Sequence, residues 1–426
     1  MLDLRRIRFE TDQVRAQLAK RPDPGLLTAI DEVVQLDEER RDVIQEVEGL
    51  KARRNDASKE IAELKKAGED ASALIGEMRE VSERISAYDR RLVEAEEAIQ
   101  RLLLEIPNTP LDPVPAGGEE ANREVRAWGE PRERREWQRP HWELGARLGI
   151  LDLERGARVA GSGFPLFFGM GARLQRGLIN LMLDVHLQEH GYTEVVPPYL
   201  VRSQTMVGTG QLPKLASDAY RVEDDDLWLI PTAEVPVTNL HAGELLGPGD
   251  LPRRYVAYTA CFRREAGAAG RDTRGIIRVH QFDKVELVRV ERPEDSEAAL
   301  EELTAQAEVI LQRLELPYRV VLLAAGDIAQ QSAMTYDLEV WAPGVGRWLE
   351  VSSCSNCTDY QARRADIRFR RSRGEKPEYV HTLNGSALAL PRTMIALLEN
   401  YQREDGGVDL PEALHPYVGQ ARIEPE

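Results

Sequence analysis

Apolar residues recur at steps of three and four along two stretches of the first hundred positions. The first carries Val33, Leu36, Val43, Val47, Leu50, Ala57, Ile61 and Leu64, with Arg40 and Arg54 at two further seam positions. The second carries Leu74, Met78, Val81, Ile85, Tyr88, Leu92, Ala95, Ile99, Leu102 and Ile106. Such spacing is the seam of a coiled coil. Gly68 in KKAGEDA supplies a C-cap and turn, so the pattern predicts an antiparallel hairpin. Each helix would have about 35 residues and span roughly 50 Å. A short helix opened by Thr11 and Asp12, then the breakers Pro22, Pro24 and Gly25, precede it. The proline-rich run IPNTPLDPVPAGG ends it. This places a domain boundary between residues 1–106 and 107–426, with 107–135 as a linker region.

Beyond the boundary the periods are mixed. Leu174, Leu178, Leu181, Met182 and Val185 share one face of a helix predicted from Arg173 to His186. GYTEVVPPYL reads as a short strand stopped by Pro197 and Pro198. Met206 to Ala219 reads as a polar loop ahead of LWLIPT. Tyr255 to Phe262 and Ile276 to Val290 read as strands, joined by a wide turn through Gly267, Gly270 and Gly275. Trp348 to Cys357 is a strand with Glu350 and Ser352 on one face. From His381 the chain is expected to run through a turn at Asn384-Gly385 into a helix carrying Leu390, Met394, Leu397 and Leu398. The class is α+β.

Candidate chemistry follows from period two. Cys261, Arg263 and Glu265 on the first strand and Arg278, His280, Phe282, Lys284 and Glu286 on the second would together line one face of the sheet. A face with that many charges is costly to bury unless a ligand pairs with it. A nucleoside triphosphate needs a guanidinium, an aromatic ring and carboxylates, all present here; a solvated face laced with ion pairs is the alternative. Thr232-Ala233-Glu234 suits either a helix N-terminus or the ammonium of an amino acid. Glu350 with Ser353 offers oxygen ligands for Mg²⁺. Arg392, alone in an apolar stretch, is a surface cation or an anion ligand. Cys354 and Cys357 lack a second pair, so no zinc is expected. The GTG at 208–210 lacks the rest of a phosphate-binding fingerprint, and no P-loop occurs.

A chain of 426 residues has room for two or three domains, and three cysteines make no disulfide scaffold. MLDLRRIRFE has no apolar leader core, and no run reaches the ~18 apolar residues of a membrane span. The expectation is a soluble, cytoplasmic protein. The net charge of -17 weighs against indiscriminate nucleic-acid binding. The balance reverses locally at Lys51, Arg53, Arg54, Lys59, Lys65 and Lys66, where an arm would meet a phosphate backbone. A spacer or an oligomerisation device is the competing reading of that arm.

FRRE followed by a loop and VHQFDKVE resembles motif 2 of the class II aminoacyl-tRNA synthetases, which binds ATP on an antiparallel sheet. The helix and proline-ended strand at 173–198 resemble motif 1, which builds the dimer interface. TLNGSALALPRT resembles motif 3. With TAEVPVTNLH, EVSSCSNCTDYQARR, the hairpin and the IPNTP linker, nearly the whole chain is similar to the bacterial-type seryl-tRNA synthetases. The resemblance implies a coiled-coil arm followed by a class II catalytic domain on a mainly antiparallel sheet with flanking helices. It also implies a homodimer that joins L-serine to tRNA(Ser), and to tRNA(Sec), at the expense of ATP with Mg²⁺. Implied ATP-site residues are Arg263, Arg264, Glu265, Arg278, Val279, Phe282, Glu350, Val351, Ser352, Ser353 and Arg392. Arg263 would hold the α-phosphate and Glu265 the adenine amino group, with Phe282 and Arg392 sandwiching the base. Arg263, Glu350 and Arg392 would be catalytic, and Glu350 and Ser353 would serve the metal-bound triphosphate. The serine pocket would comprise Thr232, Ala233, Glu234, Arg263, Glu286, Asn384 and Ser386. One departure is Gly163, where the family leads us to expect arginine. A class II ligase charging a carrier protein, or a synthetase for another amino acid, remains an alternative.

Overall fold

The computed structural model describes residues 1–266 and 274–425, so the turn expected at Gly267 and Gly270 lies outside the described residues. The chain divides into two compact units: one of Leu2–Ala19 with Asp23–Ile106, the other of Met1, Lys20–Pro22 and Pro107–Glu426.

The smaller unit is helical: α1 (Leu4–Phe9), α2 (Thr11–Leu18), α3 (Gly25–Ala67) and α4 (Ser72–Glu105). Gly68 stops α3 with φ 77°, the left-handed conformation that glycine adopts without a Cβ penalty. At 43 residues α3 is longer than expected and spans ~64 Å. The seam also differs by one position. Leu36 is only half-buried, while Asp37 is buried at 3% exposure. Asp37 takes the seam because α1 crosses there: Arg8 grips it through two bonds of 2.7 and 2.8 Å, and Arg40 adds a third at 3.1 Å. Burial works against its charge, but the two arginines outweigh that and hold the carboxyl below the ordinary aspartate range.

The larger unit is built on an eight-stranded sheet. Its strands are β1 (Arg123–Trp128), β2 (Thr193–Glu194), β3 (Arg253–Phe262), β4 (Gln281–Glu291), β5 (Tyr318–Leu322), β6 (Met334–Ala342), β7 (Arg347–Asn356) and β8 (His381–Ala389). In space they run β1-β5-β6-β7-β8-β4-β3-β2, antiparallel throughout except for the parallel β2–β3 edge. The sheet is covered by α6 (Gly169–Gln188), α8 (Ser296–Arg313) and α10 (Leu390–Asn400); α5 (His141–Arg147), α7 (Glu234–Thr238) and α9 (Tyr360–Ala365) pack around its margins. Leu178, Met182, Leu303, Leu338 and Leu397 lie in the resulting core. No helix among the described residues is long and apolar enough to cross a membrane.

Two expectations fail here. Part of the loop predicted from Met206 is helix, Ser203–Thr209, closed by Gly210 at φ 90°. Asn384-Gly385 is not a turn but the middle of β8, the strand beside β4. Glycine is needed there for packing: a Cβ would lie 2.4 Å from Leu303 Cδ2 and 2.9 Å from Cys354 Sγ. The small residue lets α8 lie against the sheet, and alternation then turns Asn384 and Ser386 to the opposite face.

Candidate active site

Strands β3 and β4 bring the first group together. Cys261 pairs with Phe282, Thr259 with Lys284 and Ala257 with Glu286. The ladder gains one rung past the strand ends, where the Arg263 N–H donates to His280 O at 2.9 Å. The strand expected from Ile276 begins only at Gln281. Ile276, Ile277 and Val279 are all buried, so that segment packs into the core without alternating, and Arg278 and His280 belong to a lead-in rather than to the strand face. Glu265 also leaves the face: its φ of 51° is left-handed, and it pairs with Arg278 at 3.2 Å. Arg264 sits beside it, its N–H on Asp218 O at 2.8 Å. Arg263 places its guanidinium 5.3 Å from the centroid of Phe282, a cation–π pair, and its Nε donates to Pro231 O at 3.3 Å.

Strand β7 supplies the second group through a bulge. Glu339 faces Glu350 and Leu338 faces Ser352, leaving Val351 as an extra residue. The expected sharing of a face by Glu350 and Ser352 is thereby undone, and Glu350 lines up with Ser353 instead. The Ser352 hydroxyl turns away and donates to Ser386 O at 2.6 Å, and Val351 is buried. Asp337, opposite Ser353, has its carboxylate oxygen Oδ1 buried without a hydrogen-bond partner. Burial, then the charge of Glu350, pushes the Asp337 carboxyl well above the usual range. From α10, Arg392 reaches Glu350 through its carbonyl at 2.9 Å and its carboxylate at 3.1 Å. Partial desolvation opposes the charge on Glu350, but Arg392 and then Arg263 more than offset it, so this carboxylate titrates below the ordinary glutamate range. Arg263, Glu350 and Arg392 thus share one field although 129 positions separate the first from the last (392 − 263).

The third group is buried. The Lys284 ammonium lies 2.7 Å from Thr232 Oγ1 and 2.6 Å from Glu286 Oε2, and Ser386 Oγ donates to that same oxygen at 3.4 Å. Ala233 is fully buried beside Thr232, and Glu234 opens α7 at 4% exposure. Gln361 donates to Glu234 Oε1 at 2.6 Å and Gln331 at 3.5 Å. Burial first, then the like charge of Glu286, pushes Glu234 up to about 7 against those bonds and the pull of Lys284. Asn384 points to Cys357 Sγ at 3.7 Å, beside the same pocket. The three cysteines are buried free thiols.

On α3 of the smaller unit, half of the basic candidates are paired. Arg53 binds Glu77 at 3.1 Å, Lys51 meets Asp89 at 3.6 Å and Lys59 meets Asp56 at 3.2 Å. Arg54, Lys65 and Lys66 form no ion pair among the described residues.

The model of the Seryl-tRNA synthetase N-terminal domain matches residues 1–110, and that of the tRNA synthetase class II core domain (G, H, P, S and T) matches residues 220–401. The Serine--tRNA ligase of Geobacillus kaustophilus is 58% identical over 424 residues, which cover 99% of this chain and all of that one. The chain belongs to the seryl-tRNA synthetase family. A Clostridium botulinum member is 55% identical over 420 residues, covering 98% of this chain and 99% of its own. Among solved members, the seryl-tRNA synthetase from Pyrococcus horikoshii complexed with ATP superposes with a TM-score of 0.96 at 40% identity, both chains being covered fully. The Naegleria fowleri cytoplasmic enzyme in complex with AMP gives 0.90 at 29%, covering all of this chain and 99% of that one.

The sequence places Lys284 on the charged face without assigning it a partner, and it assigns nothing to Asp337 or Gln361. For Lys284 the signal existed, since it alternates with Phe282 and Glu286. For Asp337 and Gln361 there was none, because only the pairing of β6 with β7 and the docking of α9 bring them in. At Gly163, where the family resemblance suggests arginine, φ is 83° and a Cβ would lie 2.5 Å from the His280 ring. Glycine there lets its carbonyl accept the His280 N–H at 2.8 Å.

Proposed function

We propose that this chain activates L-serine with ATP to seryl-adenylate and transfers the seryl group to tRNA(Ser). One observation carries the reading. A buried Thr232–Lys284–Glu286–Ser386 cluster takes two of its members from strand β4, the strand that also carries Phe282, and Phe282 stacks with Arg263 near the Arg392–Glu350 pair. Glu234 takes the serine ammonium, and Glu286 with Ser386 takes its hydroxyl. Phe282 and Arg392 hold the adenine, and Arg263 the α-phosphate. Glu350, Ser353 and Asp337 offer hard oxygen donors of the kind Mg²⁺ accepts, and the unpartnered Asp337 oxygen fits that use. When bound, the ion neutralises the triphosphate.

The chemistry is positioning and charge neutralisation, with no protein nucleophile. The serine carboxylate attacks the α-phosphorus, the bond to pyrophosphate breaks, and Arg263 steadies the charge that grows on the α-phosphoryl oxygens. The terminal ribose hydroxyl of tRNA then attacks the adenylate carbonyl and AMP leaves. The arm of residues 1–106 approaches tRNA through Lys51, Arg53, Arg54, Lys59, Lys65 and Lys66, and residues 107–426 form the catalytic domain. The working form is a homodimer; Val196, 81% exposed just after β2, supports an interface on that side. Three unpaired thiols suit a reducing compartment such as the cytoplasm.

The test is pyrophosphate exchange with each of the twenty amino acids. Exchange with serine alone is expected; preference for another amino acid, or none, overturns the reading.

A further inference from the structure

A buried histidine outside the substrate groups is wired to the ATP side. His141 begins α5 with its backbone N–H on Glu399 Oε1 at 2.9 Å, and its ring Nδ1 lies 2.9 Å from the same oxygen. Both side chains are at 0% exposure. The other ring nitrogen, Nε2, receives the Ile276 N–H at 3.1 Å. It can accept that bond only without a proton of its own, so the ring is the neutral Nδ1–H tautomer donating to Glu399. The second Glu399 oxygen accepts the Val345 N–H at 3.0 Å. Reciprocal bonds of 2.8 Å between Arg139 and Gln402 fix the chain just ahead of His141.

The held segment leads directly to the site. The carbonyl of Ile277 accepts from Arg392 Nε at 3.2 Å, and Arg278 follows, paired with Glu265. Glu399 itself stands on α10, two turns beyond Arg392. One helix therefore grips the lead-in of β4 twice, directly through Arg392 and indirectly through Glu399 and the imidazole. The fit is close: a Cβ on Gly275 would lie 2.1 Å from His141 Nε2.

We propose that His141 is a positioning residue for ATP: with Glu399 it pins Ile276, so that Arg278 and Arg392 meet the nucleotide in a fixed register. It touches no substrate. This rests on the reading of Arg263, Phe282 and Arg392 as the ATP site. Ile276 is fully buried, so without the imidazole its N–H has no water to turn to.

Two partial mimics test this in the full-length protein. Asparagine at 141 keeps an amide N–H near the Nδ1 position and loses the acceptor at Nε2. Glutamine reaches the Nε2 position with its oxygen. In serine-dependent pyrophosphate exchange, His141→Asn is expected to raise KM for ATP by roughly tenfold to a hundredfold, the consequence of an unpaired buried amide. KM for serine should change far less, and His141→Gln should recover most of the loss. If both variants shift both KM values alike, His141 is merely structural and the proposal falls. If the native protein shows no serine-dependent exchange, the ATP-site reading fails instead. If exchange is normal and His141→Asn keeps the native KM for ATP, only the present inference fails. Should the variants not fold, the imidazole ¹⁵N spectrum of the native protein decides. An unprotonated Nε2 with a protonated Nδ1 is expected at His141, and the opposite tautomer overturns the proposal.

Discussion

The proposed role of Glu234, to receive the serine ammonium, predicts a pH dependence whose magnitude can be worked out. Its carboxyl is pushed up to about 7 from 4.5, first by burial and then by Glu286. A raised value means that the folded protein holds this proton more tightly than the unfolded chain. The stabilisation is fully present below 4.5 and is lost as pH rises through about 7, a loss of about 3 kcal/mol from some 2.5 pKa units. The ligand ammonium needs the ionised form, so serine binding must offset that ionisation cost. The apparent KM for serine then scales as 1 + 10^(7 − pH): roughly elevenfold above its limit at pH 6, twofold at pH 7 and near the limit at pH 8. At pH 7, binding should release about half a proton, measurable by calorimetry in buffers of different ionisation enthalpy. Glu234→Gln keeps an oxygen for Gln361 but cannot pair with an ammonium. It should raise KM for serine by roughly a hundredfold, flatten the profile between pH 6 and 8, and raise the melting temperature at pH 8. A native profile that is flat over that window, or a glutamine variant with native KM, would refute the assignment of Glu234 to the ammonium.

Arg263→Ala should cut pyrophosphate exchange by at least a hundredfold, as a charge-assisted contact to the transition state contributes ~3 kcal/mol or more; near-normal exchange would move the phosphate site elsewhere. Replacing Leu36 to Leu102 by a short linker should leave serine-dependent exchange largely intact and abolish charging of tRNA; full-rate charging would reduce the arm to a spacer. Charge reversal at Arg54, Lys65 and Lys66, the three of the six basic α3 candidates without ion-pair partners among the described residues, should weaken tRNA binding and lower its salt slope by about one per lost phosphate contact. Gly385→Ala should lower stability by about 1–3 kcal/mol in thermal unfolding, because its Cβ would meet Leu303 and Cys354 in a filled core; an unchanged melting temperature would show that α8 can retreat.

The residues that announced themselves did so through local order. The hairpin, its left-handed stop at Gly68 and the helix carrying Arg392 are repeats or caps spanning a few neighbours, and backbone geometry alone converts them to structure. Where a local cue competed with packing, packing won. Asn384-Gly385 is a strong turn signal taken in isolation. In the folded chain the glycine serves the approach of Leu303, and the asparagine looks into the pocket. Leu36 gave way to Asp37 for a similar reason: an arginine from another helix made burial of the carboxylate affordable.

By itself the sequence determined the α+β class, the antiparallel hairpin, and through the motifs around Arg263, Glu350 and Arg392 the kind of chemistry. Only the tertiary structure decided which faces those side chains share. One extra residue at Val351 sets Glu350 beside Ser353 rather than Ser352, and early burial of Ile276 and Ile277 takes Arg278 off the strand. It also decided that Lys284 joins Thr232 to Glu286, that Asp337 faces Ser353, and that Glu399 reaches the lead-in of β4 through His141. The physical reason is the range of the forces involved. Period and capping act over a turn or two of one segment, whereas a bulge, a register or a buried hydrogen bond is settled by whatever segment packs opposite, however distant it is along the chain.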